Sequence, residues 1–160
     1  MKLYDYAIKM ELDGEQYYRD QAEKNQGQAI ARVFTLLAKA EMKHAALLRS
    51  RQQGESVAKD LTDLAADQNV FSAMDDFKAD VTSIPRQLDV YRLALDIEQK
   101  SIDQYKKLLD NAEADQDRQL LSFLVDQETQ HYNLFDTLIT LVSRPEEWVE
   151  DAEFGKREEY

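Results

Sequence analysis

The chain contains no cysteine, and its 160 residues include only two prolines and four glycines. Without cysteine, these residues can form no disulfide, no thiolate nucleophile and no four-cysteine iron or zinc site. The absence also fits a reducing compartment. Because helix breakers are scarce and hydrophobic residues reach 43%, the composition favours one globular, mostly helical domain.

Long apolar runs are also missing. No stretch approaches the roughly 18 apolar residues of a membrane-spanning helix, and the opening "MKLYDYAIKM" lacks the layout of a signal peptide. We therefore expect a soluble, cytoplasmic protein. Basic residues are few, with 20 Lys and Arg against 32 Asp and Glu, and the net charge of -12 argues against nucleic acid or anionic membrane as a partner. The acid excess favours bound cations.

Four long stretches have the helical period, with apolar residues at steps of three and four. They cover about 3–24, 28–51, 85–110 and 116–142. Short turns at 25–27 and 111–115 make the first two stretches one antiparallel hairpin and the last two another. The sequence therefore predicts an all-α four-helix bundle.

The connection between the hairpins, residues 52–84, is long. It carries two weaker amphipathic pieces at about 56–66 and 70–80, and Ser83 and Pro85 are typical of a cap and a first helical turn. A helix of about 26 residues is roughly 39 Å long, so this segment can run the length of the bundle. We predict a single long crossover.

The tail, residues 145–160, differs in character from the predicted bundle domain, residues 1–144. It holds seven acids against two bases, with Trp148, Phe154 and Tyr160 spaced as anchors. We expect a short C-terminal helix whose aromatic side chains dock on the bundle or on a second subunit.

The two predicted hairpins resemble each other in sequence, because a shift of 87 residues places like residues at corresponding positions. The repeat pairs Glu11 with Glu98, Tyr18 with Tyr105, Glu41 with Glu128 and His44 with His131. The chain has only these two histidines, and each follows a glutamate by three positions. The midpoint between the paired glutamates of each hairpin falls in its turn, so each first glutamate is expected to face its Glu-x-x-His across the hairpin.

Four glutamates on apolar faces require partners, because a buried, unpaired carboxylate costs several kcal/mol. Two divalent ions would balance the charge of the four carboxylates, and two neutral imidazoles would add ligands without adding charge. The Glu-x-x-His spacing supports this, since residues three apart on a helix point the same way. Carboxylate with imidazole suits iron or manganese, with zinc or cobalt as substitutes. A metal-free bundle with core hydrogen bonds between glutamate and histidine remains an alternative.

This six-residue pattern, with a tyrosine seven positions after each first glutamate, resembles the ferritin-like di-iron carboxylate proteins. The stretches "AIKMELDGEQYY" and "ALDIEQKSIDQY" are most similar to the rubrerythrin branch, and the resemblance covers residues 3–142. It implies a ferritin-like fold that holds two irons. Glu41 and Glu128 would bridge the irons, Glu11 and Glu98 would be terminal ligands, and His44 and His131 would each bind one iron.

The resemblance implies an enzyme that reduces hydrogen peroxide or oxygen, with Tyr18 and Tyr105 beside the metals as hydrogen-bond partners or radical sinks. Two features depart from the family pattern. Ser101 stands where rubrerythrins carry a further carboxylate, and a rubredoxin module cannot exist without cysteine, so electrons are expected from a separate donor protein such as a rubredoxin. Ferritin-like iron storage and manganese catalase-like chemistry are the alternatives. We expect a homodimer, and exchange of hairpins between subunits is open.

Overall fold

The structure, a computed structural model, describes the backbone of residues 2–66 and 84–155 and the side chains of residues 2–66 and 84–143. The helices in this part are α1 (Asp5–Lys24), α2 (Ala29–Gln52), α3 (Ala58–Ala66), α4 (Leu88–Asp110) and α5 (Asp115–Gly155). Helices α1 and α2 pack as one hairpin and α4 and α5 as another, with α1 next to α4 and α2 next to α5. The predicted all-α bundle of two hairpins is confirmed. None of the helices in the described part has the length and apolar character needed to cross a membrane.

Both predicted turns are present. In the first, Gly27 has a φ of +86°, a left-handed conformation that glycine adopts without strain. The backbone N–H of Gln28 donates to the carbonyl of Asn25 at 3.0 Å, which closes the turn. The side chain of Gln87 donates to Asn25 Oδ1 at 2.7 Å, so this turn also contacts the segment that leads into α4.

The core consists of two apolar clusters at opposite ends of the bundle. The cluster near the first turn contains a stack of Tyr18, Phe34 and Phe135, with ring centroids 5.7 to 6.3 Å apart. The cluster at the other end is centred on residues such as Tyr4 and Leu124. The layer between the clusters is where the paired glutamates and histidines lie.

The start of α4 differs from the prediction. Pro85 lies before the helix rather than in its first turn, and α4 begins at Leu88. The carbonyl of Pro85 accepts hydrogen bonds from the N–H of Gln87 at 2.9 Å and from the hydroxyl of Tyr91 at 2.8 Å. These bonds hold Pro85 in a turn that leads into the helix. Ser83, the predicted cap, lies outside the described residues.

The crossover is described only in part. Helix α3, Ala58–Ala66, confirms the first of its two predicted amphipathic pieces. The second piece, at 70–80, lies outside the described residues, as does the rest of 67–83.

The C-terminal helix is not a separate element. The helical backbone of α5 continues through Pro145 to Gly155. A proline inside a helix removes one backbone hydrogen bond and bends the helix, and helix-forming residues on both sides allow it to continue. The side chains of Trp148, Phe154 and Tyr160 lie outside the described part, so their docking and the domain boundary at 145 stay predictions.

Candidate metal centre

The middle layer of the bundle gathers all six residues that the sequence singled out as metal ligands. Each of the four long helices contributes: α1 provides Glu11, α2 provides Glu41 and His44, α4 provides Glu98, and α5 provides Glu128 and His131. None of the six is more than 3% exposed. Apolar clusters above and below this layer separate it from water, so the charge of the carboxylates has to be balanced inside the protein.

The six residues form two overlapping groups of four. We call Glu11, Glu41, His44 and Glu128 the first ligand group, and Glu41, Glu98, Glu128 and His131 the second ligand group. In each group, one nitrogen or carboxylate oxygen per residue lies within 4.8 Å of the others. Glu41 and Glu128 belong to both groups. This arrangement can hold two cations side by side, with two carboxylates between them.

The histidines connect the two hairpins. His44 Nδ1 lies 2.8 Å from Glu128 Oε1, and His131 Nδ1 lies 3.1 Å from Glu41 Oε1. In each case a histidine of one hairpin approaches a carboxylate of the other. The two imidazole rings stack with centroids 5.8 Å apart and an angle of 19° between their planes. The repeat in the sequence therefore appears in the structure as an approximate twofold relation between the hairpins.

Seven buried side-chain atoms in the described part have no hydrogen-bond partner, and all seven belong to these six residues. They are Glu11 Oε2, Glu41 Oε1, His44 Nδ1, Glu98 Oε2, both carboxylate oxygens of Glu128, and His131 Nδ1. An unpartnered buried polar atom costs about 1–3 kcal/mol, so the cluster would be strongly unfavourable alone. Cations bound by these atoms would remove that cost, and the donor set therefore fits metal ions.

Two tyrosines support the terminal carboxylates. The hydroxyl of Tyr18 donates a hydrogen bond to Glu98 Oε1, and the hydroxyl of Tyr105 donates one to Glu11 Oε1. Burial, followed by the negative charge of the bonded carboxylate, raises the pKa of each tyrosine well above its ordinary value. Both phenols therefore stay protonated and keep donating. Each bond also leaves the second oxygen of its glutamate directed to the ligand groups.

The electrostatics of the cluster favour retained protons when no cation is bound. Burial and the charge of Glu128 raise the pKa of Glu98 to about 8 and that of Glu41 well above its ordinary value. Burial lowers the pKa of His44, but the carboxylates of Glu11 and Glu128 outweigh this effect and raise it to about 9. Protons and metal ions therefore compete for the same atoms.

Comparison with known proteins identifies the family. The family model described as Rubrerythrin matches residues 2–139, nearly the whole bundle. The chain belongs to the rubrerythrin family. No curated protein and no solved structure gives a significant match to it. The rubrerythrin assignment and the buried cluster of glutamates and histidines together support metal binding by this layer.

At this rubrerythrin-family site, Ser101 was singled out from the sequence, but its repeat partner, Gly14, was not. Gly14 and Ser101 are related by the 87-residue repeat, and each follows the first glutamate of its hairpin by three positions. A Cβ atom at position 14 would lie 3.5 Å from Glu41 Oε2, so the missing side chain opens space beside a shared carboxylate. The repeat was the signal that could have found this pair, since both copies have a small residue there.

Proposed function

We propose that the protein is a di-iron oxidoreductase, which reduces hydrogen peroxide or oxygen with electrons from a separate donor protein. The observation that carries this proposal is the sharing of Glu41 and Glu128 by the two ligand groups in a rubrerythrin-family chain. Four carboxylates and two neutral imidazoles balance the charge of two divalent ions. Iron suits this mixture of oxygen and nitrogen ligands, with manganese or zinc as possible substitutes.

In this proposal Glu11 and His44 would hold one ion, Glu98 and His131 the other, and the shared carboxylates both. When bound, an iron pair supplies the two electrons that a peroxide bond needs, and the donor protein later returns them. With two protons, one hydrogen peroxide then gives two waters, so electrons and atoms balance.

Side chains of the protein orient the ligands and restrict the access of water. Tyr18 and Tyr105 hold the outer oxygens of Glu98 and Glu11, and they fix the direction in which the free oxygens point. The apolar clusters on both sides of the layer restrict access of water. Because Ser101 replaces the further carboxylate, we propose that the reaction uses one fixed set of six ligands rather than an exchange of ligands.

The test is a single turnover of the reduced protein. The chain is loaded with ferrous iron without oxygen, excess metal is removed, and peroxide is added. We expect about one peroxide to disappear for every two irons oxidised, without release of oxygen. Persistence of peroxide in the iron-loaded protein would contradict the proposal. Oxygen release without a reductant would instead indicate catalase-like chemistry, and uptake of many irons by a large particle would indicate storage.

A matched variant makes this test specific to the site. Glu128→Ala removes a carboxylate of both ligand groups, whereas Glu113→Ala removes an exposed one in the turn before α5. Peroxide consumption should be lost in the first variant and kept in the second. Equal consumption by both would place the reaction elsewhere.

A further inference from the structure

A pocket of about 160 Å³ opens on the surface between α1 and α4. Three pairs of its lining residues are related by the 87-residue repeat: Met10 with Ile97, Asp13 with Lys100, and Gly14 with Ser101. Because each pair takes one residue from each copy, the pocket lies on the approximate twofold axis that relates the hairpins. It therefore faces the two ligand groups in the same way.

The floor of the pocket is formed by the two smallest side chains of this lining. A Cβ atom at Gly14 would lie 3.5 Å from Glu41 Oε2 and 3.7 Å from Glu41 Cδ, so the floor at Gly14 lies close to a shared carboxylate. Ser101 is 4% exposed, and its hydroxyl forms no hydrogen bond with any residue that the structure describes. The neighbour beneath Gly14 is therefore Glu41, which belongs to both ligand groups. A molecule bound at the floor would thus lie close to a carboxylate that the two ligand groups share.

The residues that line the pocket indicate which kind of molecule it can bind. The walls at Met10 and Ile97 are apolar, and the two charges at the rim are already neutralised, since Asp13 pairs with Lys9 and Lys100 pairs with Asp96. Below the rim, the loaded centre that this inference assumes has no net charge, because four carboxylates balance two divalent ions, so it does not attract a charged molecule. The unpartnered hydroxyl of Ser101 offers one hydrogen bond at the floor. These features suit a small, uncharged molecule with at most a few polar atoms.

We propose that this pocket is the entrance and docking position of the oxidant, and that Gly14 and Ser101 admit uncharged molecules of the size of hydrogen peroxide or dioxygen. The inference rests on the proposed function, because it assumes a redox metal pair beneath the floor. It adds the route and the size limit, which follow from residues that are not metal ligands. A larger side chain at either floor position should close the route without removing a ligand.

Nitric oxide is a suitable probe, because it is uncharged, diatomic and binds ferrous iron. Its binding rate is measured by stopped-flow absorbance in the reduced, iron-loaded protein after the iron content has been determined. Ser101→Leu should slow binding by about tenfold or more at unchanged iron content, since the leucine fills the floor. Gly14→Ala narrows the floor from α1 and should also slow binding. Ser50→Leu, the same change beside the α2–α3 pocket, should bind as fast as wild type.

The outcomes separate the two proposals. Wild-type binding rates in both Ser101→Leu and Gly14→Ala, at full iron content, would overturn the entrance and leave the di-iron centre standing. If Ser101→Leu cannot hold iron, Gly14→Ala decides, because an alanine there meets Glu41 only at ordinary contact distance. A wild-type protein without iron would refute the proposed function, and the entrance with it.

Discussion

At the scale of single residues, each terminal glutamate divides its two oxygens between two tasks. Glu98 Oε1 accepts from Tyr18 while its Oε2 has no hydrogen-bond partner, and Glu11 shows the same division with Tyr105. Both bonds join opposite hairpins. A tyrosine therefore fixes the orientation of a proposed ligand and also helps to hold the hairpins together.

The Tyr18 hydroxyl should matter for metal binding. Tyr18→Phe removes the hydrogen bond to Glu98 and keeps the ring in its stack, so we expect metal affinity to fall about tenfold. Affinity is measured by competition with a chelator. Tyr91→Phe is the matched control, because this buried tyrosine donates to the carbonyl of Pro85, away from the site. Equal affinities in the two variants would contradict a positioning role for Tyr18.

The raised pKa values predict how the metal-free protein responds to pH. Glu98 binds a proton in the folded state up to about pH 8, whereas the unfolded chain releases it near 4.5. His44 likewise keeps its proton to about 9 instead of 6.5. Because the folded state binds more protons across this window, its free energy of unfolding should fall as pH rises from about 5 to 9.

Urea unfolding with a chelator present, at several pH values, measures this slope. Glu98→Gln removes one of the titrating groups, so the decrease between about pH 5 and 8 should become smaller in that variant. A stability of the metal-free wild type that is constant or rises over this range would refute the prediction. Metal ions should reverse the trend, since they bind the deprotonated ligands.

At the scale of elements, replacing glycine by alanine should change the free energy of unfolding in opposite directions in a turn and in a helix. Gly27 has a φ of +86° with open space around it, so Gly27→Ala should lower the free energy of unfolding by about 1 kcal/mol through backbone strain alone. Gly14 lies inside α1, and Gly14→Ala should raise it by about 1 kcal/mol. Chemical denaturation of both variants checks this. Effects of the same sign would contradict the assigned conformations.

The elements were also what the sequence predicted best. Apolar periodicity and two polar turns are local properties, and they sufficed to predict both hairpins and the faces that carry Glu41 and Glu128. The start of α4 was missed, because the bond from Tyr91 to the carbonyl of Pro85 depends on how the chain folds back. The separate C-terminal helix was expected from Pro145, yet a proline within a favourable helical context bends a helix without ending it.

The contacts between the hairpins lay beyond the sequence. Tyr18 was predicted beside the site because it follows Glu11 by seven positions, but its partner is Glu98 in the other hairpin. Spacing along one helix determines which face a residue occupies. It does not determine the height at which the second hairpin docks. For the same reason the pocket above Gly14 and Ser101 required the structure.

At the scale of the whole molecule, the site exists only when the two hairpins dock. The first ligand group takes Glu128 from the second hairpin, and the second ligand group takes Glu41 from the first. Metal binding should therefore stabilise the docked bundle, since the separated hairpins lack a complete group. The repeat explains why the two ligand groups are alike, because two copies of one helical hairpin provide both.

Iron content per chain tests the shared-carboxylate centre most directly. Protein is purified without chelator and loaded with ferrous iron under anaerobic conditions. The iron bound per chain is then measured by elemental mass spectrometry and by native mass spectrometry of the intact protein. We predict about two irons in wild type, about one in His131→Ala, which alters only the second ligand group, and none in Glu128→Ala, which alters both. Wild-type protein without iron, or two irons retained in Glu128→Ala, would contradict a centre of two metals joined by Glu41 and Glu128.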